Sequence, residues 1–153
     1  MPLKPIRLMI KLFENDSLSE ADRSRRSILQ FMEAMIIHNR DWLRLHPETP
    51  RLYESGVVYR PEEDTEDWQD IQTTMELGYA DCEDLSTWRI AELNQKYNVK
   101  AYPYITWRQT ETGMIYHALV RWPTGHIEDP SRALGMLGQF FYAPVFVGID
   151  TDF

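Results

Sequence analysis

This sequence is poor in cysteine, in positive charge and in long apolar runs, and each shortage removes a class of protein. Its 153 residues hold one cysteine, Cys82, so no disulfide can form within the chain and a disulfide-built secreted scaffold is excluded. Sixteen Lys and Arg face 24 Asp and Glu, giving a formal net charge of −8. Such a surface repels phosphate backbones, so nucleic acid is not an expected partner. Lys4, Arg7 and Lys11 interrupt residues 1–13, which lack the apolar core of a signal peptide. No stretch approaches the roughly 18 apolar residues of a membrane span. A soluble protein without a membrane partner is expected, acting in the cytoplasm where it is made. His38, His46, His117 and His126 stand at no zinc-ligand spacing with the lone cysteine, and neither a metal nor another cofactor is expected.

What is present fits one domain over residues 1–153, since 43 % of the residues are hydrophobic and a chain of this length buries roughly 70 % of its unfolded surface. Residues 1–65 read as a strand, a helix and a wrapping loop. Ile6, Leu8, Ile10 and Leu12 alternate with Arg7, Met9 and Lys11 as in a strand over 5–13. Ser17 and Glu20 form an S-x-x-E cap, and Ile28, Leu29, Met32, Met35, Ile36, Trp42 and Leu43 follow near helical spacing, in one long helix or two joined near Asn39. Burial preferences make that stripe core. Pro47, Pro50, Gly56 and Pro61 then break the chain into an arm over 46–65.

Residues 66–153 read as the core that carries chemistry. A short helix is expected over 68–77, closed by Gly78 as a left-handed cap. Asp81 caps a second helix, with Asp84 three residues on and Leu85, Ile90, Leu93 and Tyr97 along one apolar stripe that ends near Asn98. Strands are expected over 100–108 and 114–122, with a third running through Ile127 and Asp129. Helices followed by strands give an α+β fold.

A lone cysteine is usually a small buried apolar residue. Cys82 instead begins a helix, where unpaired N–H groups and the macrodipole favour thiolate, so it is expected to alkylate faster than a free thiol. Asp81, Glu83 and Asp84 flank it and oppose that effect unless they point away. His117 is the expected base and Asp129 the orienting acid. Their meeting depends on the turn between them. A three-residue loop of Pro123, Thr124 and Gly125, with Gly125 left-handed, pairs Trp122 with His126 and therefore Leu119 with Asp129. His117 then becomes the same-face diagonal neighbour of Asp129. His126 sits beside the turn and faces the other way, as a solvated residue. The oxyanion of an attacked carbonyl would rest on the Cys82 backbone N–H. Gln72, Trp68 and Tyr79 are candidates for its second donor.

The three runs Gly78-Tyr79-Ala80-Asp81-Cys82-Glu83-Asp84-Leu85, Tyr116-His117-Ala118-Leu119-Val120 and Gly125-His126-Ile127-Glu128-Asp129-Pro130-Ser131 together resemble the transglutaminase-like, or papain-like, superfamily of cysteine enzymes. The run from Tyr53-Glu54-Ser55-Gly56 through Trp68 to Cys82 is similar to small members encoded by bacteriophages and prophages, although Ala80 stands where many members have glycine. The resemblance implies a cysteine-bearing helix packed on an antiparallel sheet that carries His117 and Asp129, with catalytic roles for Cys82, His117 and Asp129. It implies amide hydrolysis or acyl transfer on a protein or cell-wall peptide. Alternatively it implies a structural or binding component of a phage particle, virion-associated and among phage structural proteins, that keeps the fold without turnover.

Overall fold

The computed structural model describes residues 18–62, 67–111, 113–137 and 146–147. The strand expected over 5–13 and the Ser17 cap lie outside them. In chain order the elements are helix α1 (Leu18–Leu45), a 3₁₀ turn (Leu52–Glu54), β1 (Val58–Tyr59), α2 (Ile71–Leu77), β2 (Tyr79–Ala80), α3 (Cys82–Lys96), β3 (Tyr102–Thr110), β4 (Gly113–Arg121), β5 (Ile127–Glu128), α4 (Pro130–Ala133) and β6 (Phe146–Val147). This is a mixed α+β fold. β1 and β2 pair in parallel, and an antiparallel sheet has the order β5-β4-β3-β6. Among the described residues no helix is long and apolar enough to cross a membrane.

α1 runs unbroken through Asn39, although an asparagine mid-helix costs helix propensity. Asn39 is there for a partner outside its own helix. It is fully buried, and its Oδ1 accepts the Ile71 N–H at 3.1 Å, one of the donors that the first turn of α2 leaves unpaired. Asp70 caps the same turn by accepting the Thr73 N–H at 2.8 Å, and its other oxygen meets His38 Nε2 at 3.0 Å. Gly78 closes α2 at φ 79° and donates its N–H to Thr74 O, in a backbone region that strains any side chain with a Cβ.

The apolar positions of α1 face two neighbours. Ile28, Leu29 and Met32 pack with Cys82, Ile105 and Ala118, whereas Ile36 packs with Ile90, Leu93, Ala101 and Val120. A third cluster joins Leu43 and Leu52 to Ile71, Leu85 and Trp88. α1 and α3 both contribute to all three. The expected single apolar stripe of α3 is therefore a correction: every residue from Cys82 to Trp88 is buried, while Tyr97, expected on the stripe, is exposed under the Arg51 guanidinium. Polar residues survive there because each has a partner elsewhere. Ser86 Oγ donates to Ala118 O at 3.1 Å, Asp84 Oδ1 accepts the Gln69 N–H at 2.7 Å, and Glu92 Oε1 accepts the Leu52 N–H at 2.9 Å. The last bond fastens the arm to α3, so the described residues of α1 and the arm pack into the same clusters as α3 and the sheet.

β3 and β4 pair along their full length, from Tyr102 opposite Arg121 to Thr110 opposite Gly113. The pleat turns Ile105, Ala118 and Val120 toward the helices and puts His117 and Leu119 on the other face. The turn to β5 is the three-residue loop that register demanded. Gly125 has φ 87° and donates to Trp122 O, Trp122 donates to His126 O, and Val120 lies opposite Glu128. β5 is shorter than expected: it stops at Glu128, and Asp129 leaves the strand to cap α4.

Candidate active site

Three elements converge at the first turn of α3. Asp81 and Asp84 form a reciprocal capping box, although both of its bonds are long at 3.4 Å. That places Cys82 at the first helical position. β5 pairs with β4 only at Val120 and Arg121, so at Ala118 the outer edge of β4 is turned to α3. There the carbonyl of Ala118 takes the Ser86 hydroxyl and its N–H bonds to the Cys82 sulfur. The sulfur thus lies against the peptide bond that joins His117 to Ala118.

His117 is 3 % exposed, and its Nε2 stands 3.0 Å from Asp129 Oδ2. The register makes the two residues diagonal neighbours on one face, which is the reason they meet. With Nε2 turned to the carboxylate, Nδ1 is the ring nitrogen that would take a thiol proton. Asp129 has a second duty, since its Oδ1 accepts the Arg132 N–H at 3.1 Å as the cap of α4. His126 is exposed beside the turn, with its ring 6.2 Å from that of Trp122.

The electrostatics correct one expectation. Cys82 is 8 % exposed and its Sγ–H donates to Glu83 Oε2 at 3.1 Å. Burial first, then the charges of Glu83 and Asp81, push the thiol well above its ordinary range, and the Ala118 N–H only partly offsets them. The resting sulfur is a neutral thiol, so the helix dipole loses to desolvation. Asp84 is pushed up in the same way, by burial and then by Asp81. In both groups burial works against the anion that the dipole alone would favour.

Of the residues considered as oxyanion donors, Gln72 is directed along α2 to Glu76 Oε1 at 3.0 Å, and Tyr79 lies under the Arg60 guanidinium, 4.8 Å from its ring centre. Trp68 packs on the cluster that contains Cys82. Sequence reasoning missed Tyr59, which packs on that same cluster from the wrapping arm. Its phenol is pushed up to about 12 by burial and then by Cys82, Asp81, Glu83 and Asp129 in turn, which places it among all the acidic groups of the site. Alternation in the arm carried no signal for it, because β1 is only two residues long.

A second polar cluster sits farther along α3. Arg89 Nη1 bonds Glu92 Oε2 and its Nε bonds Glu128 Oε1, both at 2.6 Å. Trp122 Nε1 donates to Glu128 Oε2 at 2.8 Å, and the Tyr53 hydroxyl donates to Glu128 Oε1. Among the described residues no group of three or more His, Cys, Asp or Glu is arranged to hold a metal ion. No known protein family, curated protein or solved structure matches this chain.

Proposed function

We propose that the chain is a thiol-dependent acyl-transfer enzyme, in its simplest form a peptidase or amidase, built on a core of the transglutaminase-like or papain-like kind. The observation that carries this reading is the 3.0 Å bond between His117 and Asp129, on the strand whose next residue, Ala118, packs with Cys82. In the reaction His117 takes the thiol proton on Nδ1 while Sγ attacks the carbonyl carbon, and the carbonyl electrons move to oxygen. Collapse of that intermediate breaks the C–N bond, and the departing amine receives the proton from His117. Water or an amine then cleaves the thioester by the same exchange. Asp129 holds the imidazole in one tautomer and stabilises its cation. Protein or peptide, including cell-wall peptide, is the substrate class this chemistry fits.

The Sγ–H bond to Glu83 favours a second reading, a phage structural component that keeps the core and never turns over. An activated ester separates the two. With p-nitrophenyl acetate the enzyme should release a burst of one equivalent of p-nitrophenolate per chain and carry the acyl group on Cys82, and Cys82→Ala should remove both. A folded protein that shows no burst and no acylated Cys82 rejects the enzyme.

A further inference from the structure

The backbone of Tyr59 is fixed beside the strand that leads to the nucleophile. β1 pairs Tyr59 with Ala80, the residue two before Cys82, and Arg60 N–H bonds Ala80 O at 2.9 Å. On the other side the Tyr59 N–H bonds Leu134 O at 2.9 Å, just past α4. The arm is therefore clamped between the strand that leads into α3 and the helix that Asp129 caps. The ring packs against the cluster of Cys82, Ile105 and Ala118. Nothing in packing requires a hydroxyl on that ring, and a phenylalanine would fill the same space.

We propose that Tyr59 is a catalytic residue of this site, donating its phenolic hydrogen to the oxyanion formed when Cys82 attacks a carbonyl. The Cys82 backbone N–H, at the first position of α3, is the partner donor. Two donors from different elements, the helix start and the arm, then grip the oxygen that gains the electron pair. Tyr59 neither gives up nor accepts a proton: its hydrogen bond shortens as negative charge builds on the carbonyl oxygen and relaxes as the thioester forms. Burial first, and then Cys82, Asp81, Glu83 and Asp129, push the phenol up, which suits a donor and disqualifies a base.

This inference rests on the acyl-transfer reading, and two reagents separate their failures. Alkylation by iodoacetamide makes no oxyanion, whereas acylation by p-nitrophenyl acetate does. Tyr59→Phe should slow acylation of Cys82 by about 100-fold, the usual effect of one lost oxyanion donor, and change alkylation by less than about threefold. Tyr59→His, which restores a ring N–H, should recover part of the loss. Equal acylation by wild type and Tyr59→Phe overturns the role of Tyr59 and leaves the enzyme standing. A parallel fall in both reactions overturns it too, because it shows that the variant disturbed the thiol. If the wild type is never acylated at Cys82, both proposals fall together. Should Tyr59→Phe fail to fold, Tyr59→Leu, which also lacks a donor, is compared with wild type by the same two reagents.

Discussion

Two polar clusters hang on α3, barely two turns apart, and both are buried, yet they ionise in opposite senses. Around Arg89, Glu128 stays below the usual carboxylate range: burial alone would raise it, but hydrogen bonds from Arg89, Tyr53 and Trp122 overcome that. Around Cys82, the same burial wins, and both the thiol and Asp84 rise. What differs is a permanent cation. Arg89 remains charged at any accessible pH, whereas no arginine or lysine is among the groups that act on Cys82 or Asp84. One cluster stores charge and the other stores protons, and only a store of protons can serve a reaction that moves one.

The strongest way to break that contrast is to remove the orientation of the base. Asp129→Asn keeps a residue able to cap α4 but presents an amide to His117, so acylation of Cys82 should fall by about 10³- to 10⁴-fold with the thermal midpoint little changed. A loss below tenfold would mean that the His117–Asp129 pair is structural. Next in size is Glu92→Ala, which strips the fully buried partner of Arg89 and orphans the Leu52 N–H. Breaking a buried pair costs about 3–5 kcal/mol, read as a lower denaturant midpoint at unchanged slope, while alkylation of Cys82 in the folded protein should stay as it was. Coupled loss of both properties would merge the two clusters into one.

Smallest, and sharpest, is Glu83→Gln. Wild-type Cys82 should alkylate more slowly than a free thiol at neutral pH, with its rate still climbing above the ordinary thiol range. Removing the carboxylate makes the thiolate easier to form, so the rate–pH profile moves to lower pH and neutral labelling speeds up, by about tenfold if the profile moves by one pH unit. An unmoved profile would assign the suppression to burial alone.

Local chemistry explains which features were legible. The Gly78 and Asp81 caps and the Pro123-Thr124-Gly125 loop depend on a few adjacent residues, and the period of two then carried the turn's register outward to His117 and Asp129. Tyr59 was invisible because its place is set by Ala80 and Leu134, one before and one after the chemistry and both far along the chain. The state of the thiol was also hidden: the sequence shows Glu83 beside Cys82 but not which way its carboxylate turns. The all-round burial of α3 could not be read either, since Ser86, Asp84 and Glu92 look like a solvent face until Ala118, Gln69 and Leu52 supply their partners.

The four residues of α4 work as a clip. Its leading end is fastened by Asp129, which also grips the imidazole, and the residue just past its trailing end, Leu134, grips the backbone of Tyr59. The clip thus joins the partner of the imidazole to one of the two backbone anchors of the arm, the other being the pairing with Ala80. The shortest α-helix among the described residues therefore ties the acid of the site to the arm, two parts that the chain separates by some seventy positions.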